Sequence, residues 1–381
     1  MEQALERARA LVAAYDEEVR ALIPAGAELF DAHVHVGRDI DGFVAPLDEL
    51  LSFLERDGVK RAFAFCLDEP DREPAFRAAN DRTLEAARLS DGVLVPFARL
   101  DLAKEPVEEA RRALDLGARG IKLHPRAQRF LLNDERLAPI FALSAERRVP
   151  ILIHGGRGLP PIAEHLRSLV DKHPEAQLII AHAGIADLAA LSKAFGGHPG
   201  VFFDTSVWSP IDLLDMFHRV SPEQVLYASD YPYGQQPGSL FITLRTARLA
   251  GLSEEKIRNM LGGSAARIAD GEAPLTPTAP NGLKTLALPI TLARIHHYLA
   301  MATPLLWTRQ PDTIGVLGLA LNACAEQNGL AAERIGDLIA CARDLWRVLP
   351  EIENERDRLL VSRYTFRLVH LADILAVTTT E

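Results

Sequence analysis

Asp31-Ala32-His33-Val34-His35 lies inside an apolar run that extends from Glu28 to Val36. Side chains on a β-strand alternate between its two faces, so His33 and His35 project to the same side. Where such a strand ends at the rim of a barrel, that side is the mouth. Two neutral imidazoles converging there suit a borderline-soft divalent ion such as zinc. His-x-His is a short motif in a chain with 12 histidines, and it gains meaning from what lies further along. His154, His182 and Asp230 each close another apolar, strand-like run.

Eight such runs recur, at 28–36, 61–67, 93–100, 120–124, 150–154, 178–182, 201–205 and 225–229. Amphipathic stretches at 46–57, 73–89, 106–116, 134–147 and 160–173 lie between them. Alternating strands and helices predict parallel β-α-β units whose strands are buried on both faces. Eight units predict an α/β chain folded as a (β/α)8 TIM barrel of about 250 residues. A doubly wound open sheet is the alternative, but no glycine-rich phosphate loop follows the first run.

The spacing places the barrel at 24–271 and flanks it with helical parts. Residues 1–23 read as one amphipathic helix with Leu5, Ala8, Leu11, Val12, Tyr15 and Val19 on a stripe. Residues 272–282 form a stiff linker, with three prolines and a closing Asn281-Gly282. Residues 283–381 show only helical periodicity, broken at Pro304, Gln310-Pro311, Asn328-Gly329 and Pro350, and predict a small all-α domain. His296 and His297 are adjacent, so on a helix they diverge by about 100° and form no metal pair.

Composition narrows the function. At 48% hydrophobic and 25% charged residues the chain is an ordinary globular one. A net charge of −10 argues against nucleic acid as a partner, because phosphate binding needs a basic stripe. The acidic start Met1-Glu-Gln-Ala-Leu-Glu-Arg7 is no signal peptide, and no apolar stretch reaches membrane-span length. Cys66, Cys324 and Cys341 lack metal-type spacing and fit a reducing cytoplasm, with Cys66 a packing residue.

On the predicted barrel, His33, His35, His124, His154, His182 and Asp230 all stand at carboxyl ends of strands, where this fold builds its active sites. Lys122 shares a strand face with His124. Any one of these could simply bond a carbonyl or cap the next helix. Five strand ends converging on one mouth point to a metal site.

As a set, Asp-Ala-His33-Val-His35, Gly-Ile-Lys122-Leu-His124-Pro, Ile-His154-Gly-Gly, Ala-His182-Ala-Gly and Ser-Asp230-Tyr-Pro resemble the amidohydrolase superfamily. The resemblance is to the branch that includes aminocarboxymuconate-semialdehyde decarboxylase and many metal-dependent hydrolases. Asn259-Met-Leu-Gly-Gly-Ser-Ala-Ala-Arg267 also looks like that family's last barrel helix. The resemblance covers the barrel and not the C-terminal helices. It implies that His33, His35, His154 and Asp230 bind one divalent metal, Zn2+ or alternatively Mn2+, with His182 and Asp230 handling the proton. In binuclear relatives a strand-4 lysine is carboxylated and bridges two ions. Lys122 in that role, with His182 as a ligand, is the second choice.

The substrate reads as a small molecule. Arg126 and Arg157, with Arg38 as a third candidate, follow strands at the mouth, and arginine forks suit carboxylates. Lys122 and His124 could hold the same anion, and Trp208, Tyr231 and Tyr233 could form an aromatic wall or pack under loops. The expected reaction is attack of an activated water on an ester, lactone or amide. Non-oxidative decarboxylation is the rival, and a non-catalytic barrel whose helical domain binds a partner is the third reading. Homo-oligomerisation through the C-terminal helices is a further expectation.

Overall fold

The computed structural model describes residues 2–280, 286–326 and 329–379, so Asn281-Gly282 at the end of the linker and the predicted break at Asn328 lie outside the described residues. Nine strands form one mixed sheet: β1 (Leu29–Arg38), β2 (Val44–Ala45), β3 (Val59–Cys66), β4 (Leu94–Arg99), β5 (Gly120–Leu123), β6 (Pro150–Ile153), β7 (Gln177–Ile180), β8 (Val201–Asp204) and β9 (Val225–Leu226). All pair in parallel in chain order except β2, which hairpins back antiparallel on the end of β1. That short edge strand was not anticipated, because Val44-Ala45 is too brief to show a period.

Backbone hydrogen bonds tie β1 to the chain around and just after β9. Backbone N–H groups of Ala32 and His35 donate to Tyr227 and Tyr231, and that of Asp230 donates to His33, all within 2.9 Å. A helix follows each of the eight parallel strands, from Leu47–Arg56 after β1 to Gly238–Leu249 after β9. Burial on both strand faces splits the core in two. Leu152, Ile179, Phe202 and Leu226 point inside with Phe63, Phe65 and Phe97, while residues such as Ile121, Ile151 and Ile180 face the helices. Ala265 and Ile268, from the closing turn Asn259–Ala269, join the inner cluster beside Phe30 at the start of β1.

The described residues from 286 onward carry four α-helices, Ile290–Trp307, Thr313–Ala325, Leu330–Val348 and Glu355–Thr378, with a short 3-10 turn at Leu349–Glu351, and no strand. The predicted break at Pro304 is absent. Pro304 sits in the last turn of Ile290–Trp307. It removes one hydrogen bond there, and the carbonyl left over belongs to exposed Ala300, which water can serve. The N-terminal helix Glu2–Leu22 buries the predicted Ala8, Val12, Tyr15 and Val19, with Leu5 and Leu11 half-buried. It packs against the C-terminal helices as well as the barrel: Tyr15 lies edge-on to Phe241 at 5.4 Å, with Arg334 over its ring. No helix among the described residues is long and apolar enough to cross a membrane. All three cysteines are buried and free.

Candidate active site

Strand ends bring the chemistry together. The register of β1 against β3 slips between Asp31 and Val34, a bulge of the kind that re-aims side chains near functional sites. Asp31 locks the bulge by accepting hydrogen bonds from the backbone of His33 (3.1 Å) and Ser229 (2.9 Å). Its full burial pushes its carboxyl up to about 7. Asp230 and His182 follow their strands with φ of +59° and +57°, a left-handed backbone that costs non-glycine residues energy and is held by the surrounding structure.

Three ligand-type side chains then converge. His33, His35 and Asp230 offer atoms that all lie within 4.8 Å of one another. The Nε2 atoms of His33 and His35 stand 3.2 and 3.3 Å from the same oxygen, Asp230 Oδ1. Asp204 Oδ2 accepts from His33 Nδ1 at 2.8 Å, which leaves a lone pair on His33 Nε2. A bare imidazole nitrogen facing a carboxylate oxygen needs a positive charge between or beside them, and this donor set fits a divalent cation.

Burial also suits the residues to that role. It keeps His33, His35 and His154 neutral by pushing their pKa values down, the form in which imidazole binds a metal. Burial opposes ionisation of Asp230, but the imidazoles of His33, His182 and His35 outweigh it and hold the carboxyl below its ordinary range. His35 Nδ1 and His154 Nε2 are buried without a partner among the described residues. Phe65 on β3 forms an apolar floor, with ring centroids 5.0 Å from His33 and 4.7 Å from His35.

The remaining predicted residues occupy distinct places. His154 lies one ring away from the three-residue group, 4.6 Å from His182 and stacked on His124 at 4.1 Å. His182 has Nδ1 held by Ser206 at 2.9 Å, and its ring lies 5.2 Å from that of His33. Lys122 is fully buried over the Phe65 ring and reaches His33 Nε2 at 3.4 Å, and burial brings its amine down to about 7. His124 Nδ1 accepts from the backbone of Ala127 and so caps the turn Pro125–Gln128. Arg126 is exposed beside Gly158, and Arg157 leans towards Asp212 at 3.7 Å. Arg38 is exposed at the end of β1. Tyr231 packs under the loops against Phe53, whereas Tyr233 stands edge-on to His35 at 5.5 Å and donates to Asp39 at 2.8 Å. Trp208 meets Trp307 and Phe366 from the C-terminal helices. A cavity of about 460 Å³ opens beside the mouth between the loops after β5, β6 and β7, lined by Phe130, Leu132, Leu159 and Asp187 but by none of the three converging residues.

Two buried polar residues were missed. Asp204 ends β8, and besides orienting His33 it accepts from the backbone of His182 (2.7 Å) and Ser206 (3.0 Å). Its signal was available as the carboxylate closing Val201-Phe-Phe-Asp204. Arg99 ends β4, almost fully buried over Phe76 and 3.7 Å from Asp68.

The chain belongs to the amidohydrolase family, whose model matches residues 30–268. It is an enzyme of that largely metal-dependent family, and the His33, His35, Asp230 group is where a metal fits. No curated protein matches the chain. Among solved structures, a TIM-barrel protein from Bordetella bronchiseptica is similar at 15% identity and a TM-score of 0.50, over 64% of this chain and 99% of its own. A 5-carboxyvanillate decarboxylase from Sphingomonas paucimobilis is 16% identical over 64% of this chain and 99% of its own, with a TM-score of 0.48. A 4-oxalomesaconate hydratase from Rhodopseudomonas palustris is 17% identical over 64% and 96%, at 0.47. Of these three the Bordetella likeness bears on this chain, and it concerns the fold alone.

Proposed function

We propose that this chain is a metal-dependent hydrolase of small, carboxylated esters, lactones or amides, working at the mouth of a closed (β/α)8 barrel that precedes a small all-α domain. The observation that carries the reading is the convergence of His33 Nε2 and His35 Nε2 on one oxygen of Asp230. One ion, Zn2+ or Mn2+, would be held by His33, His35 and Asp230, with His154, whose Nε2 has no partner among the described residues, as the further ligand the resemblance implies. Bound there, the ion would supply Lewis acidity and lower the pKa of a coordinated water towards about 7.

The chain's own groups do the rest. Asp230, kept ionised, accepts the proton of the attacking water at a carboxylate oxygen and returns it to the leaving group. His182, fixed through Nδ1 by Ser206, presents Nε2 to orient that water or to share its proton. Asp204 holds the His33 ring in the tautomer that leaves Nε2 free. Lys122 adds positive charge beside His33, and Phe65 keeps the floor dry. A bridging carboxylated Lys122 with two ions is the less supported arrangement, because the group that converges, His33, His35 and Asp230, offers a place for one ion.

Non-oxidative decarboxylation is the second reading. Arg126, exposed beside Gly158 on the loop after β5, offers a carboxylate-binding fork at the mouth. The first experiment is elemental mass spectrometry on protein purified without added metal. About one equivalent of zinc or manganese is expected, falling to about a tenth or less in Asp230→Asn. Lactone and ester screens alongside carbon dioxide detection then separate the two reactions. A chain that takes up no metal even when offered it ends the hydrolase reading.

A further inference from the structure

The C-terminal helices lie outside the matched barrel, yet one of their side chains completes the mouth. Tyr233 stands edge-on to His35 with ring centroids 5.5 Å apart and planes at 90°, and its hydroxyl is fixed by Asp39. Phe43, from the hairpin between β1 and β2, packs on Tyr233 at 4.8 Å. Trp307, the last residue of Ile290–Trp307, stacks on Phe43 at 5.7 Å with planes 14° apart. Trp307 also meets Trp208 at 5.3 Å, and Phe366 packs behind both indoles. Trp208 follows Ser206, whose hydroxyl contacts His182. The rings therefore run from His35 through Tyr233, Phe43 and Trp307 to Trp208, on the loop that also carries Ser206, and Trp307 joins the loops after β1 and β8.

Trp307 is 48% exposed although its neighbours in this row of rings are largely covered. An indole braced by other rings and left open on one side is a stacking surface, and stacking of aromatic rings adds to simple area burial. The row carries no charged side chain. Arg126 and Arg157, two of the three candidate arginines of the mouth, belong instead to the loops after β5 and β6. A ligand matching both sides has an anionic group at one end and a flat, uncharged ring at the other.

We infer that Trp307, with Phe43 and Trp208, is a specificity-determining residue that stacks on a planar aromatic or unsaturated ring of the substrate. The inference rests on the metal-site reading above, because that site anchors the reacting end. It gives the C-terminal helices a share in substrate selection.

The test uses two hydroxamates with the same metal-chelating head, benzohydroxamate and acetohydroxamate, titrated by calorimetry into the zinc-loaded full chain. Wild type should bind benzohydroxamate about tenfold more tightly than acetohydroxamate, with quenching of tryptophan fluorescence. Trp307→Ala should remove that preference and most of the quenching while leaving acetohydroxamate affinity and zinc content unchanged. Trp307→Phe should retain part of the preference. Equal benzohydroxamate affinities in wild type and Trp307→Ala, with acetohydroxamate binding normally, would overturn the inference and spare the metal site. If wild type binds neither zinc nor acetohydroxamate, the metal-site reading falls and takes the inference with it.

Discussion

Asp204 controls which nitrogen of His33 is available, and it does so from a fully buried position. Asp204→Asn keeps the shape but can offer an N–H where a carboxylate accepted, which disturbs the tautomer. Metal affinity and turnover should fall between about tenfold and a hundredfold, with far-ultraviolet circular dichroism unchanged; competition with a chromophoric chelator measures the first quantity. At this scale the sequence was readable wherever a residue interrupted an apolar strand. His33, His35 and Asp230 stood out because an imidazole or carboxylate at the end of such a run has no packing reason to be there. Asp204 escaped because Asp-Thr-Ser also reads as the start of a turn. Arg99 escaped because nothing in Pro96-Phe-Ala-Arg99 says that its guanidinium turns inward. Periodicity reports the face of a residue, not the second partner it finds across the barrel.

Two elements meet closely where the closing turn Asn259–Gly263 passes under β1. A Cβ on Gly262 would overlap the carbonyl oxygen of Glu28, and backbone on both sides leaves nothing free to move. Gly262→Ala should therefore cost at least about 2 kcal/mol, read from urea denaturation midpoints. Gly315, in Thr313–Ala325, is the contrast, since nothing lies within 4 Å of the position its Cβ would take. Gly315→Ala should stabilise by about 0.5–1 kcal/mol by restricting the unfolded chain. The strands and helices of residues 28–270 were legible because repeated β-α units leave a long alternating pattern, and the observed ends differ by only a few residues. The Pro304 break was wrongly expected because a proline in a last turn breaks little.

Over the whole molecule, the joint between barrel and C-terminal helices holds a titratable group. His370, on Glu355–Thr378, lies against Gly238, and burial brings its imidazole down to about 4 against a weaker pull from the backbone of Trp208. The folded chain thus keeps His370 neutral while the unfolded imidazole gains a proton near 6.5. Between those values the unfolded state binds more protons, so stability is complete above about 6.5 and is lost as the pH falls towards 4, by about 3 kcal/mol in all. His370→Leu should flatten that part of the profile, measured as unfolding free energy at pH 7 and pH 4.5. How these helices dock was not legible: their apolar residues recur at helical spacing, and spacing alone does not say which surface covers them. The outcome has a temporal consequence. Arg245 of the barrel bonds both Glu18 of the first helix and Thr378 of the last, and Arg334 reaches the same Glu18. Glu2–Leu22 therefore keeps its apolar stripe only partly covered until Glu355–Thr378, far along the chain, is available, and its docking becomes a late, long-range event in folding.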